Sequence, residues 1–285
     1  MEHPVSHPQN SHALKVVDHF KSGETFSLKP HPRHGFLMTE PAPLQSDLPF
    51  YYDSEEYISH TDSNKGLLAS CYQWAKKIAL KRKAKLIDSF MPKKGKLLDV
   101  GAGTGDFLKF MTAQDWQVSG TEPNGDARKL AAQKNLDLAA SLDELPDSKF
   151  RVITLWHVLE HIPNLETTLD RLKELLEEDG ILIVAVPNHR SLDAQYYGPF
   201  WAAYDVPRHL WHFDKDSMKS LMQSRFELKK IEPMKFDSYY VSLLSEKYKG
   251  SSLGMFKASY RGWLSNLKAK KSGEYSSLIY IFGQK

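Results

Sequence analysis

The chain has 285 residues, a formal net charge of +3 and one cysteine. The length suits a single α/β domain with a sizeable core, and Cys71 alone excludes an internal disulfide or a cysteine-built zinc site. The small lysine excess is not a basic stripe, and by itself it neither supports nor excludes nucleic acid.

Residues 1–65 read as an N-terminal extension, holding seven of the twelve histidines and seven of the fifteen prolines. MEHPVSHPQNSH has no signal-peptide core, and His3, His7 and His12 are expected in a solvated tail. ETFSLKP and GFLMTEP flank HPRH and predict a small hairpin. FYYDSEEYISH follows, aromatic and acidic, and residues 26–60 with Tyr51, Tyr52 and Tyr57 are expected to form a lid.

Residues 66–285 read as one domain. From Lys65 to Phe90 the pattern is helical, with Leu67, Cys71, Trp74 and Ile78 on one face beside Leu68 and Ala75. KKGKLLDV is a buried strand, followed by a helix near Asp106–Ala113, strand QVSGTEP, a helix near Gly125–Lys134 and strand RVITLWH. NLETTLDRLKELLEEDG is a helix that Gly180 is expected to close, and GILIVAVPN is the next strand. Alternating apolar strands and helices predict a parallel sheet covered on both faces. After Asn188 come an aromatic loop over 189–213, a helix capped by Asp214, strand ELKKIEPMKF, a helical stretch Tyr239–Lys270 and a final strand SSLIYIFGQ. No apolar run approaches the roughly 18–20 residues that cross a bilayer. A cytoplasmic protein without a membrane span is expected.

The chemistry starts at LLDVGAGTGDF, where Asp99 runs into Gly101, Ala102, Gly103 and Gly105 before a helix. Glycines let a ligand approach bare backbone, and the helix N-terminus offers free N–H groups. Glu122 follows 21 residues after Gly101, where a carboxylate accepts hydrogen bonds from two ribose hydroxyls. Loop and acid describe a nucleoside-bearing cofactor. A dinucleotide fingerprint G-x-G-x-x-G would need glycine or alanine at Asp106.

The alternate glycine spacing resembles that of the class I S-adenosylmethionine-dependent methyltransferases, over roughly residues 75–285. The resemblance implies an α/β, Rossmann-like, doubly wound and mostly parallel seven-stranded sheet with helices on both faces, here with a small N-terminal extension. It implies S-adenosylmethionine as cofactor, with Asp99, Gly101, Ala102, Gly103, Gly105, Glu122 and Pro123 around it. Leu142 and Asp143 are expected at the adenine, and Trp156 and His157 at the carboxyl end of the following strand. The chain departs from the pattern at Phe150-Arg151, where many members carry Phe-Asp; that aspartate usually supports the fold.

HVLEHIPN with YDVPRHLWHF is most similar to the bacterial group that includes the ubiquinone-biosynthesis O-methyltransferases. Methyl transfer to a small-molecule or lipid-like acceptor, at oxygen, is therefore expected. Such an acceptor wants a base: His157, His161 and His209 are candidates, His157 first. Tyr204, Asp205, Arg208 and His209 are expected to line the acceptor pocket, with Arg208 holding a carboxylate or phosphate. The blander readings are that Arg208 pairs with Asp205 and that Trp201, Trp211 and Phe213 are core. Met255, Phe256, Tyr260 and Trp263 either cover an apolar acceptor or pack the core. A divalent ion at Glu160, His161, His209 and His212 is a further alternative, weakened because His157 replaces the first glutamate of an ExxEH pattern; no metal is expected. Two rival readings are an NAD-type dehydrogenase, disfavoured by the glycine spacing, and a cofactor-binding protein without turnover. No nucleic-acid partner is expected, and the protein is a monomer or homodimer.

Overall fold

The computed structural model describes residues 13–44, 46–52 and 67–285, the side chains at 49 and 67–75 excepted. His3, His7, His12 and Tyr57, and the side chains of Leu67, Leu68, Cys71, Trp74 and Ala75, lie outside the described residues.

In chain order the strands are β1 (Leu14–Val17), β2 (Thr25–Pro30), β3 (Leu37–Glu40), β4 (Lys96–Val100), β5 (Gln117–Thr121), β6 (Phe150–Trp156), β7 (Leu176–Pro187), β8 (Trp211–His212), β9 (Phe226–Pro233) and β10 (Ser277–Gln284). The helices are α1 (Leu48–Tyr52), α2 (Leu67–Phe90), α3 (Asp106–Thr112), α4 (Gly125–Ala132), α5 (Leu165–Leu175), α6 (Leu192–Tyr197), α7 (Lys215–Met222), α8 (Asp237–Tyr248) and α9 (Gly254–Ser272). None of the described helices is long and apolar enough to cross a membrane.

The main sheet runs β5-β4-β6-β7-β10-β9. β5, β4, β6 and β7 are parallel, and β10 enters antiparallel between β7 and β9. The strands are apolar on both sides because helices cover both faces. Leu98, Ile153, Leu155, Leu182 and Val184 face α5 and α7, whose Leu169, Leu172 and Met218 are fully buried. Leu97, Val152 and Ile183 face the opposite way, onto Ala84 and Ile87 of α2 and Phe107, Leu108 and Met111 of α3. Asp214 caps α7 by a reciprocal capping box with Ser217.

The sheet has six strands, not the seven that the resemblance implied. The place outside β5 is taken by the segment around Ala139, which makes a single parallel bridge to Thr121. Too short to form a ladder, that segment still accepts from Glu122 N–H and donates to Gly120 O. A second correction concerns Gly180. α5 stops at Leu175 and the chain turns straight into β7, with Leu176 already paired to Phe150. Gly180 is no helix cap; it lies where the register shifts, and a Cβ there would come within 3.1 Å of Arg151 O. The stretch Tyr239–Lys270 is two helices, α8 and α9, broken at 249–253.

β1, β2 and β3 form an antiparallel meander whose outer edge pairs with β8. Residues 14–40 and Trp211–His212 thus share one small sheet. Phe26, Leu28 and Tyr51 pack there against Tyr197, Trp201 and Val206. Trp201 is core, its Nε1 donating to the buried Asp193.

Candidate active site

β4 ends in the glycine loop at the carboxyl edge of the sheet, where open α/β folds bind ligands. Gly101, Gly103 and Gly105 all have φ between +56° and +77°, a region open to glycine and strained for other residues. Two of them are also closed by packing. A Cβ on Gly101 would sit 2.5 Å from Val158, and one on Gly105 2.6 Å from Leu136. A Cβ on Gly103 would meet nothing within 4 Å. The open side of the loop is therefore at Gly103.

Glu122 stands beside that opening. Its carboxylate accepts from Gly103 N–H at 2.9 Å and from Asn124 N–H at 2.8 Å, which ties loop to acid. Each oxygen retains a lone pair for a hydroxyl. Pro123 precedes Asn124, the N-cap of α4. Leu142 and Asp143 open a short 3₁₀ turn, Leu142 half-buried and Asp143 exposed.

Asp99 is buried at 3% exposure and accepts from Thr154 Oγ1 at 2.6 Å. Burial pushes its carboxyl up to about 7; the Thr154 hydrogen bond and the charge of Lys83 oppose the shift without cancelling it. A buried carboxylate of this kind gains most from a cation brought by a ligand. The donor set fits S-adenosylmethionine: a carboxylate for the ribose hydroxyls, a second for an ammonium, and a bare backbone at Gly103. It does not fit a pyrophosphate. Asp106, the first residue of α3, places a carboxylate at the helix N-terminus that a pyrophosphate would occupy, and Lys76 and Lys134 hold it ionised.

Two residues that the sequence reading missed border this pocket. Lys83 of α2 holds its ammonium 4.3 Å from the Trp156 ring centroid. Burial lowers its pKa to about 8, against the pull of Asp99 and Asp237. In the sequence it belongs to the basic run KRKAK and reads as solvated surface. Trp156 also packs edge-on to Phe107, and its buried Nε1 has no hydrogen-bond partner among the described residues.

The other is Asp237, at the start of α8. His157 sits at φ +58° after β6, clamped between Glu160 (Nδ1 to Oε1, 3.3 Å) and Asp237 (Nε2 to Oδ2, 3.1 Å). Burial alone would lower its pKa, but the two carboxylates outweigh it and raise it to about 10. His157 is thus an imidazolium at neutral pH, with both nitrogens engaged, and this arrangement does not make it the base. It ties the end of β6 to α8.

Arg208 is also placed differently from the expectation. It is 2% exposed, paired with Asp18 at 2.9 Å and Asp205 at 2.7 Å, and it donates to Tyr51 O. Asp18 in turn accepts from the backbone N–H groups of Phe20, Lys21 and Ser22. Arg208 bolts the β1–β2 turn to the loop before β8, with Nε, Nη1 and Nη2 all engaged. Tyr204 is buried between Trp201 and His212.

His161, His209 and Glu160 do come together, with one donor atom of each within 4.8 Å of the others. The His161 and His209 rings meet edge to face at 4.5 Å. His209 Nδ1 lies 2.9 Å from Ala203 O and His161 Nδ1 3.0 Å from Arg208 O. A carbonyl only accepts, so each Nδ1 carries a proton and each Nε2 is left to face the cluster. Burial, and then the neighbouring His209, hold His161 down at about 4, so its Nε2 keeps a lone pair. Glu160 is completely buried; burial raises its carboxyl, but the His157 hydrogen bond outweighs this and keeps it ionised. Its Oε2 has no hydrogen-bond partner among the described residues. Tyr52 Oη reaches His161 Nδ1 at 2.9 Å. His212 lies apart, its Nε2 on Thr39 Oγ1.

A family model described as "Methyltransferase domain" matches residues 73–229. The ubiquinone biosynthesis O-methyltransferase of Actinobacillus pleuropneumoniae serotype 7 (strain AP76) is 28% identical over 170 residues, covering 54% of this chain and 72% of that one. Among solved structures, the cyclopropane synthase MmaA2 from Mycobacterium tuberculosis superposes with a TM-score of 0.53 at 16% identity, over 86% of this chain and 100% of that one. Magnesium protoporphyrin IX methyltransferase from Synechocystis PCC 6803, with bound S-adenosylhomocysteine, gives 0.54 at 13% identity, over 85% and 100%. At these identities the two structures share the fold with this chain.

Proposed function

The chain belongs to the methyltransferase-domain family and is an S-adenosylmethionine-dependent methyltransferase; from that premise we propose that it methylates a hydroxyl oxygen of a small, partly apolar acceptor. The observation that carries this reading is the cluster of Glu160, His161 and His209, two imidazoles and an ionised carboxylate, which begins two residues after Val158, the side chain packed on Gly101 of the glycine loop. The curated relative named above acts, by its name, in ubiquinone biosynthesis as an O-methyltransferase. An apolar cleft of about 120 Å³, lined by Thr39, Ala42, Pro43, Leu48, Pro163, Leu210 and Trp211, supports an acceptor with an apolar part. Its walls are chain neighbours of the cluster: Leu210 follows His209, and Pro163 is two residues from His161.

When bound, the cofactor supplies a methyl group already activated by a sulfonium. What remains for the protein is position and one proton. Glu122 would hold the ribose hydroxyls, Asp99 the ammonium and Lys83 the carboxylate of the methionyl part. His209 takes the acceptor proton on Nε2, while Ala203 O holds its tautomer and Asp205 faces the imidazolium that results. His209→Ala should lower kcat by about 10²–10⁴, the usual share of a general base, and leave the affinity for S-adenosylhomocysteine intact. An unchanged kcat refutes the assignment.

A second reading is favoured by the same cluster: two histidines and one carboxylate suit a divalent first-row ion. The ion would hold the acceptor oxygen and lower the pKa of its hydroxyl, so that the proton leaves to solvent. Full activity after chelation, with no bound metal by elemental analysis, ends that reading and leaves the first in place.

A further inference from the structure

α9 carries its small residues inward and its large ones outward. Ala258, Gly262, Ser265 and Ala269 are its buried face. Gly262 lies so close to α8 that a Cβ would stand 2.9 Å from the Tyr239 Cα. On the opposite side Phe256, Tyr260, Trp263 and Leu267 are 79%, 55%, 51% and 41% exposed. Their spacing of four, three and four residues makes them one stripe. A surface helix of a globular protein normally buries such a stripe.

The surroundings of the stripe are basic. Lys257, Lys268, Lys270 and Lys271 are exposed on α9. Between residues 247 and 273 the chain has seven lysines and arginines and no acid. Charge selects the occupant. A second copy of this chain meeting the stripe face to face would oppose two equally basic surfaces, which disfavours a symmetric dimer. A small ligand needs concavity, and an exposed stripe along one helix offers none. An aromatic stripe flanked by lysines fits a plane that is anionic at the surface and apolar just beneath it.

We propose that α9 docks this protein on the surface of an anionic phospholipid bilayer, with Phe256, Tyr260 and Trp263 at the headgroup boundary and the lysines on the phosphates. α8, on which α9 packs, begins at Asp237, the partner of His157. The docked face therefore belongs to the element that borders the active site. The inference does not depend on the acceptor or on the role of His209.

The test is co-sedimentation of the full chain with vesicles of phosphatidylcholine alone and of phosphatidylcholine with phosphatidylglycerol. Binding is expected to the anionic vesicles only, to weaken with salt, and to shift the Trp263 emission to the blue. Each basic residue near such a surface is worth about fivefold in partitioning, so the triple variant Lys257→Ala, Lys268→Ala, Lys271→Ala should bind about 100-fold more weakly. Phe256→Ser with Trp263→Ser should lose binding. Both variants should keep the wild-type affinity for S-adenosylhomocysteine, which shows that they fold. Four results overturn the proposal: no binding to anionic vesicles, equal binding to both kinds, binding unchanged in either variant, or a dimer in sedimentation that the serine variant splits into monomers.

Discussion

Acid acts on the cofactor site through Asp99. Its folded-state pKa of about 7 lies well above the ordinary aspartate value because burial of the carboxyl outweighs the Thr154 hydrogen bond and the charge of Lys83. The unliganded fold is therefore favoured by protonation of this group. Its contribution is full below about pH 4 and is lost as the pH rises through 7. Three units at about 1.4 kcal/mol each make that loss roughly 4 kcal/mol. Cofactor affinity runs the other way, because the ligand's ammonium pairs with the ionised form. Between pH 8 and 5.5 the ionised fraction of a group titrating at 7 falls about 30-fold, and the affinity should fall with it. The assay is calorimetric titration with S-adenosylhomocysteine across that range, on the wild type and on Asp99→Asn. The variant should bind more weakly at pH 8 and show no such slope, and its unliganded form should unfold at higher urea than the wild type at pH 8. A flat wild-type affinity, or the same slope in the variant, refutes the role given to Asp99.

Glu122→Ala removes two charge-assisted hydrogen bonds to the ribose and leaves Gly103 N–H without its acceptor. At about 1.5–3 kcal/mol per bond the affinity for S-adenosylhomocysteine should drop by at least about 100-fold in the same titration. Gly103→Val should cost about 1–2 kcal/mol of stability from its positive φ and abolish cofactor binding by filling the open side of the loop. Calorimetry read beside thermal melting separates the two effects. Arg208→Met strands the buried Asp18 carboxylate and should cost about 3–5 kcal/mol in urea unfolding. Adding Asp18→Asn should return part of that loss, whereas an Arg208 that served the acceptor would leave stability unchanged and raise KM.

The strands were legible because their signal is local. The sequence shows six apolar runs from 93 onward, and the main sheet has six strands among the described residues; the expected seventh came from the family pattern, and around Ala139 it shrinks to a single bridge. The cap at Asp214 and the glycine loop were equally plain, since each rests on residues a few positions apart. The end of α5 was not. LKELLEEDG has helical propensity throughout, and only the pairing of Leu176 with Phe150 from another strand draws it into β7. The site divides the same way. Glu122 could be found by spacing, but the roles of Arg208 and His157 depend on Asp18 and Asp237, 190 and 80 residues away. Residue type marks a histidine as a candidate base; only its partners decide whether it is already protonated.

The central claim is met most directly by following a labelled methyl group from S-adenosylmethionine into a panel of phenols, amines and carbon acids, each with and without an apolar tail. The account predicts label in a methyl ether, greatest for phenols with the tail, and lost by at least about 100-fold in His209→Ala. Label in an amine or on carbon, or full transfer to oxygen by the variant, would contradict it.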